Sequence, residues 1–144
     1  MRITTQGDYA VRCLMVIGRS GEKGPVSIRH IVDKEALSQD YIEQLLLKLR
    51  RDRLIKSMRG VKGGYLLSRP ARQISVKDIL DTVEGPTFEV ICARKKRAGK
   101  SCFHSNKRCV LRDVWKSLKG RIEEYLDGVS LQDLINREAD ATNK

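Results

Sequence analysis

No run of about 18 apolar residues exists in the chain, and the opening MRITTQGDYAV lacks the apolar stretch of a secretory signal. The sequence therefore predicts a cytoplasmic protein with no membrane partner. Histidines number only 2, no glycine-rich phosphate-binding loop is found, and no histidine–carboxylate pair lies near a nucleophile. These absences argue against an enzyme. Cysteine pairs at the C-x2-C spacing of structural zinc knuckles are missing as well. Acidic residues are in short supply: 18 Asp and Glu face 29 Lys and Arg, for a formal net charge of +11. Such an excess suits a polyanion, and favours nucleic acid over an acidic small molecule.

What is present, 144 residues with 40% hydrophobic content, suffices for one core and an appended helix. Ala10, Cys13, Leu14 and Ile17 fall on one helical face and predict a first helix from about Asp8 to Arg19, with Cys13 in the core. Gly21 to Pro25 break the chain, and Ser27 then caps a short second helix carrying Ile28, Ile31 and Val32. Ser38 caps a third helix. Its buried face is Ile42, Leu45, Leu46 and Leu49, and its outer face is Gln39, Asp40, Glu43, Gln44, Lys48 and Arg51. Leu54 to Met58 and Tyr65 to Leu67 read as short strands around the glycine-rich turn Arg59 to Gly64. Ser75 and Asp78, with Val76, Ile79, Leu80 and Val83, signal a fourth helix that Glu84-Gly85-Pro86 ends.

A last long helix is expected over Val110 to Leu126. There Leu111, Trp115, Leu118, Ile122 and Tyr125 alternate at spacings of four and three, the seam along which two copies pack as a homodimer. Packing of this helix on its own domain is the other reading. Ser130 and Asp133 begin a final short helix with Leu131, Leu134 and Ile135, and the polar tail from Glu138 is expected to be disordered. The predicted class is mainly α: a winged helix-turn-helix DNA-binding domain (1–86), a cysteine-bearing loop (87–109), a long C-terminal dimerisation helix with a short helix after it (110–137), and a tail (138–144).

A helix fits the major groove, and glutamine pairs with adenine edges as glutamate does with cytosine, which makes Gln39, Glu43 and Gln44 candidate base readers. Tyr41 is placed to pack or to reach a phosphate, and Lys48, Arg50 and Arg51 lie where the DNA backbone would pass. Arg59 suits the narrow minor groove, with Lys62 beside it on the same hairpin. A merely solvated helix would share this outer face, but it leaves the basic, glycine-rich hairpin that follows unexplained. A non-specific RNA-binding protein fits the charge too, and would show affinity set by salt rather than by sequence.

Cys92, Cys102 and Cys109 follow the spacing C-x9-C-x6-C, and residues 94–108 hold 7 basic side chains and no acid. Nearby cations stabilise thiolates, and would equally stabilise an anionic iron–sulfur cluster held by them. They also fit plain solubility or phosphate contact. A cluster would need a fourth ligand, for which His104 and Asp8 are candidates. Asp8 has another explanation, since Thr5 three residues earlier gives it the spacing of a capping box. Thiols that bind zinc or oxidise without a cluster are the competing reading.

MRITTQGDYAVRCL, LSQDYIEQLLLKLRRDRLIKSMRGVKGGYLLSRP and VSLQDLI together resemble the Rrf2 family of transcriptional regulators over nearly the whole chain. The resemblance implies a dimer with crossing C-terminal helices, bound to double-stranded DNA at a palindromic operator and controlled by an iron–sulfur cluster that senses nitric oxide, redox state or iron supply. It assigns Tyr41, Glu43, Gln44 and Arg59 to the DNA approach and Cys92, Cys102 and Cys109 to the cluster. Both cysteine intervals exceed the family's usual five residues, and Arg112 stands where IscR-like members carry a histidine. Asp8 matches the aspartate that NsrR-like members donate from the other subunit, which favours Asp8 as fourth ligand and [4Fe-4S] over [2Fe-2S]. Arg53 replaces the family's glycine after the recognition helix and is expected to alter how that helix ends.

Overall fold

A computed structural model describes residues 3–20, 23–86 and 109–142. Among these, the order is α1 (Thr5–Ser20), α2 (Ile28–Glu35), α3 (Gln39–Arg51), β1 (Ile55–Met58), β2 (Gly64–Leu67), α4 (Val76–Glu84), α5 (Val110–Asp127) and α6 (Leu131–Thr142), with a 3-10 turn at Ala71–Gln73 before α4. The mainly helical body with one small antiparallel sheet is the winged arrangement that the residue pattern predicts.

The serine caps form as expected. Ser27 accepts from the His30 amide, Ser38 from the Tyr41 amide, and Ser75 closes a reciprocal capping box with Asp78. Each satisfies amides that a helix start leaves without partners. Below them the apolar faces meet in one core, where Leu14, Ile17, Ile31, Ile42, Leu46 and Ile79 are almost wholly buried. Cys13 belongs to it, and burial pushes its thiol from 9.0 up to about 12. It is a small core side chain, as its place on α1 predicts.

The start of α1 departs from expectation. The helix begins at Thr5, and Asp8 does not close a capping box with it: the Asp8 carboxylate accepts from Arg12 Nε at 2.9 Å. The end is secured from a distance instead. Glu84, the last residue of α4, accepts from the Thr4 amide at 2.9 Å and from its hydroxyl at 2.7 Å. Gly7 permits this approach, since a Cβ there would run into the Glu84 carboxylate.

The end of α3 shows what Arg53 does. Asp52 is the cap, the Arg53 amide bonds the Arg50 carbonyl at 3.0 Å, and the Leu54 amide reaches back to Leu49 at 2.9 Å. That pair of bonds is a Schellman motif, whose reversing residue takes the left-handed region that glycine adopts freely. Arg53 adopts it at φ 59°. The substitution thus leaves the motif intact and places a strained arginine in it.

Strand β1 pairs antiparallel with β2, from Ile55 opposite Leu67 to Met58 opposite Gly64. Val26 adds a stub of a third strand by exchanging two backbone bonds with Tyr65 at 2.9 and 2.8 Å. The Val26 carbonyl lies where a Cβ on Gly64 would be, so only glycine lets the hairpin close against it.

The two C-terminal helices return to this body. Ser75 Oγ donates to Asp127 at 3.2 Å, and the Leu131 amide bonds the Ile74 carbonyl at 2.8 Å. Helix α6 then packs on α1 and continues through Glu138, which Arg19 holds at 2.6 Å, as far as Thr142. For residues 138–142 the expectation of disorder is corrected accordingly, because a long-range ion pair and four further helical residues hold them, while 143–144 lie outside the described residues.

Candidate nucleic-acid interface and cysteine site

Helix α3 stands directly before the hairpin with its apolar side sunk in the core, and so turns Gln39, Glu43 and Gln44 to solvent. Gln39 Nε2 donates to Glu43 Oε1 at 2.8 Å, one helical turn on. Two candidate base readers thus satisfy each other in the free chain, across an exposed bond that base edges can replace at little cost. Tyr41 is half-buried, its ring edge-on to Tyr9 with centroids 6.2 Å apart and planes at 87°. This packing orients it at the junction of α1 and α3.

The basic residues of α3 separate into different roles. Arg51 is exposed and touches Asp52 at 3.3 Å, while Arg50 crosses to Ser57 Oγ on β1 at 3.4 Å. Lys48, expected to project outward, is half-buried, and its ammonium donates to the Val83 carbonyl at 3.3 Å. Its expected outward position is corrected for a physical reason: the last carbonyls of α4 have no helical partner, and an ammonium in reach fills that vacancy.

Arg59 and Lys62 are both exposed on the hairpin, whose turn requires glycine at Gly60 with φ 122°. Between α3 and β2 lies a groove of about 240 Å³ lined by Glu43, Gln44, Leu47, Arg50 and Tyr65. Leu47 is half exposed in it, a position the sequence reading did not single out. A larger concavity of about 620 Å³ runs between the hairpin and the start of α2, past Lys23, His30 and Lys62. The surface therefore joins a polar helix, a basic hairpin and a groove between them.

Of the candidate cluster ligands, Cys92, Cys102 and His104 lie outside the described residues. Cys109 is half-buried, unpaired in any disulfide, and sits at the N-cap of α5 without a capping bond. No disulfide or capping bond occupies this sulfur, so it can serve as a metal ligand. Asp8 is exposed, and its pair with Arg12 at 2.9 Å is a surface contact worth at most about 1 kcal/mol, so it can be given up. Among the described residues no three His, Cys, Asp or Glu side chains converge as a metal site.

Helix α5 buries none of its residues. Leu111, Trp115, Leu118 and Tyr125 are exposed, and Val110 and Val114, which the spacing argument passed over, are exposed with them. Beside its C-terminal end, a groove of about 420 Å³ runs along α1, lined by Val11, Met15, Leu80, Leu126 and Leu134 with Asp8 and Arg12 among its polar groups.

Comparison with known proteins bears on the arrangement. A family model described as Rrf2, iron-dependent transcriptional regulator, matches residues 3–137. The HTH-type transcriptional regulator IscR of Pectobacterium atrosepticum is 33% identical over 136 residues, 94% of this chain and 80% of that protein. The structure of T. potens IscR superposes with a TM-score of 0.76 at 33% identity, covering 98% of this chain and 90% of that one. CymR, the global cysteine regulator of B. subtilis, superposes with a TM-score of 0.75 at 29% identity, covering 95% of this chain and 98% of that one.

Proposed function

The chain belongs to the Rrf2 family of transcriptional regulators, and on that premise we propose that it works as a homodimer reading a palindromic operator under the control of an iron–sulfur cluster. The observation that carries the DNA-reading part is the direct succession of an exposed polar helix face and an exposed basic hairpin. Residues 1–86 form the reading unit, 87–109 the sensing segment, and α5 the dimer seam. Gln39, Glu43 and Gln44 meet base edges, Tyr41 and Arg51 position the backbone, and Arg59 and Lys62 approach the minor groove.

The dimer follows from the unburied apolar side of α5, which a second copy covers along its length. Cys92, Cys102 and Cys109, with Asp8 from the partner, hold a [4Fe-4S] cluster in preference to [2Fe-2S], His104 being the alternative fourth ligand. When bound, the cluster supplies reactivity toward nitric oxide, oxidants or iron loss. Cys109 opens α5 and Asp8 lies on α1, so ligation at these positions bears on the seam and on the first helix of the reading unit.

The likeness to a cysteine regulator, and cysteine spacings longer than the family's usual, favour a second reading: a cluster-free thiol or zinc regulator of the same fold. Anaerobic purification with visible absorption, iron, sulfide and zinc analysis separates the two. Brown protein that loses its iron in Cys92→Ala, Cys102→Ala and Cys109→Ala, and is altered by Asp8→Ala but not His104→Ala, supports the cluster. Colourless protein, with or without stoichiometric zinc, supports the second reading and leaves operator binding in place.

A further inference from the structure

We propose that Lys48 is a positioning residue for operator reading: its ammonium ties the recognition helix to the carbonyl end of α4 instead of neutralising a DNA phosphate. The inference rests on the DNA-binding reading above. Lys48 occupies the last turn of α3 with Arg50 and Arg51, where charge and sequence position alone would assign it to the DNA backbone. Its side chain is half-buried and its Nζ donates to the Val83 carbonyl at 3.3 Å. That carbonyl belongs to the last turn of α4, where unpaired acceptors and the negative end of the helix dipole both favour a cation.

The same turn of α4 has a second attachment. Glu84, next in sequence, holds the Thr4 amide and hydroxyl at 2.9 and 2.7 Å. One short stretch of backbone thus anchors the end of α3 through Val83 and the start of α1 through Glu84. Gln39, Glu43 and Gln44 lie on the first half of α3, one to three turns from the tether. A small change in the set of the helix moves them relative to the groove, and base hydrogen bonds weaken steeply with misalignment.

The two roles predict different binding curves. A phosphate contact strengthens binding to every duplex alike and adds about 0.9 to the slope of log affinity against log salt. A positioning contact strengthens binding only where bases are read, and leaves the salt slope alone. Lys62, exposed on the hairpin, provides the comparison for the first case.

The test uses the full-length protein as purified anaerobically. An operator duplex selected by the wild type from a random pool, and a scrambled duplex of equal length, are titrated by fluorescence anisotropy at several salt concentrations. Lys48→Met, which keeps the aliphatic stem, is expected to bind the operator about tenfold more weakly with unchanged affinity for the scrambled duplex and a wild-type salt slope. Lys48→Gln serves as a second variant with the same expectation. Lys62→Met is expected to weaken both duplexes and to lower the slope by about 0.9. Equal losses on both duplexes with a lowered slope for the Lys48 variants would overturn the positioning role in favour of a phosphate contact. Unchanged affinity for both duplexes overturns it as well. A wild type that selects no operator removes the DNA-binding reading, and this inference with it.

Discussion

The winged body and helix α5 are built from similar amphipathic patterns and end in opposite states. In α3, Ile42, Leu45, Leu46 and Leu49 sink almost completely into the core, whereas α5, longer by a turn and a half, brings no residue beyond half-burial. An apolar stripe records only that a helix is meant to be covered. Whether the cover comes from the same chain or from a second copy is decided by what lies opposite: α3 packs on α1 and α4, while on the seam of α5 Leu111, Trp115, Leu118 and Tyr125 face solvent and Ile122 is half-buried. On the dimer reading proposed above, the first region is stable by its own contacts and the second depends on concentration.

Paired truncations test that contrast most directly. Ile42→Ala should lower unfolding free energy by about 2–5 kcal/mol, read from the urea midpoint, because a filled core position becomes a cavity. Leu118→Ala should leave secondary structure of the body unchanged, weaken self-association by about tenfold in sedimentation equilibrium, and make the melting temperature depend more strongly on protein concentration. Similar losses of stability at all concentrations in both variants would erase the distinction between the regions.

The two described cysteines carry the same contrast into reactivity. Cys13 is fully buried and its thiol is raised from 9.0 to about 12, whereas Cys109 is partly accessible at the head of α5. The thiolate is the nucleophile, so in metal-free native protein iodoacetamide should label Cys109 and spare Cys13, as mass spectrometry of digested peptides would show. The raised thiol also has a consequence for stability. The unfolded chain releases this proton near 9.0 and the folded chain holds it to about 12, so the contribution is complete below 9.0 and is lost as pH rises through that window. Denaturation of Cys13→Ala should lack that part of the alkaline decline.

Close approach within the body can be tested by adding a single methyl. Gly7→Ala places a Cβ against the Glu84 carboxylate and Leu80 Cδ2, and should separate the start of α1 from the end of α4. A loss of about 1–3 kcal/mol is expected, measured by urea unfolding. Glu84→Ala in the same background should recover part of it, since the obstructing carboxylate is gone. A second substitution that adds its own full cost instead would mean that the two groups do not meet.

Which features were legible in the sequence follows from the distance between partners. The serine caps of α2, α3 and α4 and the buried positions of α3 depend on residues three or four apart, and all were readable as spacing. Val110 and Val114 fall outside the seam because alternating spacings of four and three mark a single line, while the exposed face is wider. The capping box that competes with ligation as an explanation of Asp8 does not form, because the actual cap, Glu84, lies 80 positions away from Thr4. The sequence puts Lys48 on the solvent side because nothing local marks Val83 as its partner, and it leaves the end of α6 loose because Glu138 meets Arg19 across 119 positions. Polar side chains on helix surfaces announce that they seek partners, and only the fold says which.

The smallest effect concerns Arg53, one of two non-glycine residues, with Ala36, that take a left-handed backbone among the described residues. Arg53 holds φ 59° to complete the Schellman motif that ends α3, and the buried pair Leu49 and Leu54 closes over the turn. A left-handed non-glycine residue costs about 1–2 kcal/mol, but glycine at the same place returns about 0.5–1 kcal/mol of that in unfolded-chain entropy. Arg53→Gly should therefore stabilise the chain by about 0.5 kcal/mol, visible as a small upward shift of the urea midpoint with an unchanged slope. It also removes an exposed positive charge at the root of the hairpin. If operator affinity falls while stability rises, the strain is retained for a charge at the DNA surface. If affinity holds, Arg53 is a tolerated departure from the residue its backbone favours.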